Sequence, residues 1–484
     1  MSAIVIGAGL GGLSAAINLA AAGRSVDLFE AHDKPGGKAG SVIIDGVEVD
    51  TGPSVLTMPD VLDKILAKAG RKLSDVLTLR APSPAFRYRY TDDTVIDVFH
   101  SLEETADNIG AALGSDARAE LMAFITYAER IWSAAAPHFV YGPAPTWLNT
   151  IALGLQVHRL VRVDPLRTMQ QSINKRISSP HLRKLLLRYA TYNGSDPRRA
   201  PATLNCIAHV ELSLGGFGVQ GGITAMVDAM VDAARSLGVR VHLSSPVEKV
   251  LVEKRVRGVV VGGEVHEADS VIVGADAALL AKRLLPPGSP HGIRLDQSPS
   301  MSGWTGIYRA KRSERVPHTV LFCSDYDAEF ADIFDRDRPP EDPTVYLCAQ
   351  EPCHGRTGWA DEEPVFVMAN APPEPVGGRS ADPWPALEAR VDQRLQSAGL
   401  MTETDTMVWR RTPAQLAAHF PGSQGSIYGA ASNDMLAAFR RPPNRIAKIP
   451  GLYLASGSAH PGGGMPLAML SGQAAAAAVE SDRR

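Results

Sequence analysis

The sequence predicts an α/β protein of two domains, and three observations carry that expectation. A short apolar run, Ala3-Ile4-Val5-Ile6, breaks at a cluster of glycines and gives way to apolar residues at helical spacing. A second run, Ser25-Val26-Asp27-Leu28-Phe29, follows that helix and ends on an acid, Glu30. The order of strand, glycine turn and helix then returns between Gly451 and Val479, far along the chain. Strands alternating with helices imply a parallel sheet, and 484 residues exceed what one core usually spans. With 49 Lys+Arg against 52 Asp+Glu the chain is no polybasic nucleic-acid binder, and 45% hydrophobic residues exclude disorder as its main state.

The first element pair is the most specific. In Gly7-Ala8-Gly9-Leu10-Gly11-Gly12, Gly7 permits a tight turn and Gly9 lets the backbone approach a pyrophosphate. Gly12 lets the helix of Leu13, Ala16, Ile17 and Ala20 pack close to the strand, and the helix N-terminus offers its free amides to the anion. Glu30, 18 residues past Gly12, stands where a carboxylate grips the ribose hydroxyls of an adenosine and repels a 2'-phosphate. NADP is therefore excluded.

A second glycine-rich approach follows in Pro35-Gly36-Gly37-Lys38-Ala39-Gly40-Ser41 and Val49-Asp50-Thr51-Gly52-Pro53-Ser54, where a plain NAD domain would enter another helix. Gly37, Lys38, Gly52, Pro53 and Ser54 suit a longer cofactor that runs on from the pyrophosphate, which favours FAD. Here the chain resembles the flavin amine-oxidase and phytoene-desaturase superfamily. Many members carry Arg where Lys38 stands, and Lys38 keeps the charge without the bidentate fork.

Residues 60 to 80 read as a helix and its exit, 85 to 100 as paired strands, and 102 to 192 as helices broken at Pro137, Pro143 and Pro145. Gly215 to Gly222 is expected to open a helix from Ile223 to Leu237, with strands at 240–244, 247–250, 256–261 and 270–274 beyond it. The resemblance places adenine against the backbone at Val247 and makes Ala275-Asp276-Ala277 a further landmark of the FAD domain. The expected architecture is thus a Rossmann-like FAD-binding domain built from separated segments, 1–84, 213–290 and 441–484. A mixed α+β domain for substrate and membrane docking would take 85–212 as its helical part and 291–440 as its sheet part.

At the far end, a helix starting at Met465-Pro466 would aim its amides and dipole at the electron-rich edge of a reduced flavin. Amine oxidases usually hold the ribityl chain with an acid where this chain has Gly457. Ser458-Ala459-His460-Pro461-Gly462 is instead similar to the turn of bacterial carotenoid desaturases, in which His460 either orients the ribityl chain or polyene or caps the turn. Together with Arg188 to Pro197 and Pro343 to Cys348, it looks most like the hydroxyneurosporene desaturase branch, which acts on 1-hydroxycarotenoids.

What the resemblance implies is FAD-dependent desaturation of an acyclic carotenoid, 3,4-desaturation of a 1-hydroxycarotenoid first and a phytoene substrate second. A flavin amine oxidase and a non-catalytic carotenoid-binding flavoprotein are the rivals. Oxygen or a quinone would reoxidise the cofactor, and no catalytic acid or base can be assigned by spacing. A cytoplasmic protein peripheral on a membrane is expected: no run reaches the length of a spanning helix, the first strand begins where a signal would lie, and Trp132, Phe139, Tyr141, Trp147, Leu148, His158, Arg159 and Arg162 mix rings with cations. Cys206, Cys323, Cys348 and Cys353 read as ordinary thiols, and no spacing marks a metal site.

Overall fold

In the computed structural model, which describes residues 2–145 and 163–482, a parallel five-stranded sheet is gathered from three distant parts of the chain. Its order is Arg240–His242, Ser25–Phe29, Ser2–Ile6, Ser270–Val273 and Leu452–Leu454. The central strand, Ala3 to Ile6, is almost wholly buried on both faces, as a run of small and β-branched residues must be when helices cover both sides. Helix Leu10–Ala21 lies against helix Met465–Ser481 at a glycine contact, where a Cβ on Gly472 would stand 2.2 Å from the Gly11 carbonyl oxygen, and against its own preceding turn, where one on Gly12 would stand 2.0 Å from the Gly7 carbonyl oxygen. Gly12 is thus a packing residue.

A second sheet of seven strands has the order Thr406–Arg411, Ser302–Lys311, Glu362–Ala371, Val345–Ala349, His318–Leu321, Phe86–Arg89 and Val95–Val98. Helices Leu102–Leu113, Ser115–Ala135, Met169–Arg176 and Pro180–Leu187 share one core with part of it, while Trp384–Ser397 packs its Trp384, Leu387, Val391 and Leu395 on the other face. The glycine run expected only to lead into a helix also holds a strand, Gly216–Val219, paired with Leu56–Thr57 on one side and Leu79–Arg80 on the other. Glycine has little strand propensity, so this strand exists through long-range pairing that local pattern does not reveal.

Asp50 joins these parts. Its buried carboxylate accepts hydrogen bonds from the Ile223 amide (2.6 Å), at the start of helix Ile223–Ser236, and from Arg356 Nη2 (2.9 Å). Asp50→Ala would leave a helix terminus without its anion and a buried guanidinium with only the half-exposed Glu48 carboxylate. We expect a loss of roughly 3 kcal/mol of stability or more, read as a lower urea midpoint, whereas an unchanged midpoint would remove Asp50 from this role.

Candidate functional site

One large cavity, about 970 Å³, runs from the glycine turns of the parallel sheet to the inner face of the seven-stranded sheet. Gly7, Gly9, Glu30, Gly37, Lys38, Gly52, Pro53, Ser54, Val247, Gly457 and Met465 all line it. Gly12 lies behind them in the helix packing, and His460 is not part of the lining.

At the nucleotide end the backbone itself is the surface. Gly9 has an ordinary φ of −69°, and a Cβ there would meet nothing within 4 Å, so the only thing its hydrogen leaves room for is the cavity. Gly7 needs its positive φ of 94° for the turn. The Glu30 carboxylate accepts from the Ala8 amide at 2.6 Å and from the His32 amide at 3.0 Å, which fixes it at the end of its strand facing the cavity. His32 stacks on His419 with centroids 4.3 Å apart.

Lys38 closes the cavity from the side. Its ammonium donates to the Ser426 carbonyl at 2.6 Å and the Ile427 carbonyl at 3.3 Å, tying the second glycine loop to the 426–429 segment. Burial pulls its pKa down, with Asp276 opposing the shift. A Cβ on Gly52 would stand 2.1 Å from the Lys38 carbonyl oxygen, so the Gly52-Pro53-Ser54 turn and the Lys38 loop approach as glycine alone permits. Beyond them, Gly457, Gly463 and Gly464 lead into the N-terminus of helix Met465–Ser481, whose first residues reach the cavity. His460 turns away: its Nε2 lies 2.9 Å from the Gly142 carbonyl oxygen, burial lowers its pKa, and its own carbonyl accepts from Asn444.

This frame fits a flavin dinucleotide. It has an open glycine cradle at a helix N-terminus, a fixed carboxylate one strand away, and a second helix N-terminus at the far end of the same cavity. FAD would be held by Gly7, Gly9 and Glu30 at one end and by the Met465 turn at the other.

The rest of the cavity is a chamber that sequence spacing did not reveal. Gly303, Thr305, Tyr346, Phe366, Met368 and Asn370 form one wall, from three neighbouring strands in register Gly303↔Asn370, Thr305↔Met368 and Tyr346↔Met368. Alternation along each strand puts them on one face. Two buried arginines reach the chamber, and neither pairs with a carboxylate among the described residues. Arg188 donates to the Tyr88 hydroxyl at 3.1 Å and the Tyr192 hydroxyl at 3.4 Å; burial works against its charge, yet Tyr88, Tyr192 and Glu211 hold its pKa well above the ordinary value. Arg441 donates to the Ala430 carbonyl at 2.9 Å, and burial brings its pKa down to about 10. The chamber reaches the surface where Leu166, Met435 and Leu436 are both exposed and part of its lining.

Residues 10–301 match the flavin containing amine oxidoreductase family. The chain is 34% identical to hydroxyneurosporene desaturase of Rubrivivax gelatinosus, over 98% of this chain and 92% of that protein. It is also 34% identical to the enzyme of that name from Rhodobacter capsulatus, covering 99% and 98%. To 4,4'-diapolycopene oxygenase of a Methylomonas species it is 32% identical, covering 97% and 96%. Among solved structures, an oxidoreductase from Methanosarcina mazei superposes with a TM-score of 0.65 at 16% identity, covering 99% and 100%. Cyclohexylamine oxidase from Brevibacterium oxydans does so with a TM-score of 0.61 at 16% identity, covering 100% and 99%. The two structures speak to the fold alone.

Proposed function

The chain belongs to the carotenoid desaturases within the flavin containing amine oxidoreductase family, and from that premise we propose that it introduces the 3,4 double bond of an acyclic 1-hydroxycarotenoid such as 1-hydroxyneurosporene. It is an FAD-dependent oxidoreductase. The observation that carries the substrate reading is an apolar chamber continuous with the flavin cradle and holding a small number of buried polar groups, which is the form a site for a long hydrocarbon with one hydroxyl must take.

Desaturation removes a hydride equivalent and a proton from adjacent carbons, and bound FAD supplies the hydride acceptor. The protein has to hold the chain so that the reacting carbons face that acceptor. Phe366, Met368 and Tyr346 give a wall against which a polyene can lie, and the Lys38 tether to residues 426 and 427 keeps water from the cradle's side. The Met465 helix terminus favours negative charge at its end of the cavity.

A substrate this apolar reaches the enzyme from a bilayer. No helix among the described residues is long and apolar enough to cross a membrane, so the protein would dock peripherally, with oxygen or a quinone taking the electrons. Exposed Leu166, Met435 and Leu436 at the chamber mouth support that docking, as does Tyr141, exposed beside Trp132. Trp147, Leu148, His158, Arg159 and Arg162, which the sequence also pointed to, lie outside the described residues. In flotation with liposomes the protein should rise with the lipid, and Leu166→Asp with Leu436→Asp should leave it in the dense fraction. Equal flotation of both would refute docking at this mouth.

Incubation with FAD, liposomes and phytoene, neurosporene or 1-hydroxyneurosporene in parallel tests the substrate. We expect a red shift with the hydroxylated carotenoid alone. Colour from phytoene would assign a phytoene desaturase, and a product that gains oxygen at a chain end would assign terminal oxidation instead. FAD should be non-covalent, since neither the 455–465 turn nor the cavity lining there offers a cysteine. Acid precipitation is then expected to give a yellow supernatant over a colourless pellet.

A further inference from the structure

Behind the wall of the reaction chamber, three buried side chains, His318, Cys348 and Cys353, converge on one point between the seven-stranded sheet and the Gly216–Val219 strand, and a fourth, His354, lies beside Cys348. His318 and Cys348 are direct cross-strand partners, so both project from the same face. The chain then turns into the short helix Gln350–His354, which returns Cys353 and His354 to that face. The ring nitrogen of His318 and the sulfurs of Cys348 and Cys353 all lie within 4.8 Å of one another, and His318 Nε2 is 3.4 Å from Cys353 Sγ. Cys348 is in turn flanked by Cys353, His318 and His354. His318, the two cysteines and His354 are all buried.

The outer nitrogens of both imidazoles are already in use. His318 Nδ1 lies 2.8 Å from the Tyr346 hydroxyl, which leaves Nε2 turned to Cys353. His354 Nδ1 lies 3.2 Å from the Val219 carbonyl oxygen and 3.2 Å from its amide nitrogen. The tautomer that donates to that carbonyl puts the lone pair on Nε2, which is buried without a hydrogen-bond partner among the described residues. Histidines that bind metals are oriented in this way, the far N–H held by a carbonyl or hydroxyl.

We propose that His318, Cys348 and Cys353 bind zinc and that His354, whose unpartnered Nε2 stands outside this three-atom cluster but beside Cys348, is drawn in by the metal to close a four-coordinate site. Tetrahedral zinc with its usual bond lengths separates a sulfur from a nitrogen by about 3.5 Å, close to the spacing found between Cys353 and His318. Two thiolates and two neutral imidazoles around Zn²⁺ carry no net charge, which suits a site with no access to water. Cys348-x4-Cys353-His354 does not announce a metal motif, because its fourth ligand comes from a strand 30 residues earlier in the chain than Cys348. The site would brace the wall of the flavin cavity: Cys353 Sγ lies 3.8 Å from the Ser54 carbonyl oxygen, and Tyr346, bonded to His318, lines the chamber. Zinc here is structural, since four protein ligands leave no position for substrate.

The test uses the full-length flavoprotein, purified without added metal and passed over a chelating resin. Elemental analysis should find about one zinc per chain, and Cys353→Ser and His354→Asn should each lower it on the order of tenfold or more. Because those variants can fail to fold, the wild-type protein carries a second arm. Exchange of zinc for Co²⁺ should produce the visible bands of a tetrahedral thiolate site at wavelengths longer than the flavin absorbs. Wild-type protein that lacks zinc and takes up neither ion overturns the proposal. So does an intact mass lower by the two hydrogens of a Cys348–Cys353 disulfide.

Discussion

Gly9→Val should yield a folded, colourless protein. The position has an ordinary φ, and its Cβ would enter open space, so the substitution costs the fold little. The space it enters is the cradle proposed for the pyrophosphate at the helix N-terminus. Two methyl groups there keep the phosphates from the amides, and we expect FAD affinity to fall by a hundredfold or more, about 3 kcal/mol. Glu30→Ala should lose the ribose contact and release the Ala8 amide from its carboxylate, lowering flavin content as well. Gly12→Ala makes the contrast, because its Cβ would stand 2.0 Å from the Gly7 carbonyl oxygen and so force strand and helix apart. Far-ultraviolet dichroism and flavin absorbance read together separate the cases. Gly9→Val should keep the first and lose the second, and a yellow Gly9→Val protein would show that the pyrophosphate does not cross there.

The cradle was legible in sequence because its physics is local. Gly7, Gly9 and Gly12 sit within six residues, and a glycine needed for a turn, an approach or a close contact announces itself wherever the fold places it. The chamber was not legible, since its wall depends on register: Gly303 meets Asn370 only because two strands separated by more than fifty residues pair at one of many offsets. Single side chains were harder still. His460 sits in a turn that the sequence marked well, yet whether its ring faced the cavity or the Gly142 carbonyl depended on a bend over 300 residues away in sequence. Arg188 lies in a stretch that carries the family resemblance, but nothing in its sequence neighbours indicates that it is buried without a carboxylate partner.

Arg188→Met should remove the proposed preference for the hydroxylated carotenoid. The guanidinium carbon lies 5.3 Å from the Tyr192 ring centroid, 5.5 Å from that of Tyr88 and 5.9 Å from that of Tyr346, so the cation sits among three aromatic rings. Two tyrosine hydroxyls take hydrogen bonds from one of its nitrogens, and other N–H groups remain for a ligand in the chamber that it lines. A terminal hydroxyl can accept from such a cation, a hydrogen bond worth about 1.5–3 kcal/mol, while a substrate without the hydroxyl leaves the donor buried and unpaired. Methionine fills a similar volume without donors. We therefore expect kcat/KM for 1-hydroxyneurosporene to fall by about a hundredfold, and that for neurosporene to hold or rise, since the unpaired cation is gone. Arg188→Lys keeps the charge but not the planar fork and should fall between the two. A variant that loses activity on both carotenoids equally would make Arg188 a support for the Tyr88, Tyr192 and Glu211 cluster, and the hydroxyl would have to be recognised elsewhere in the chamber.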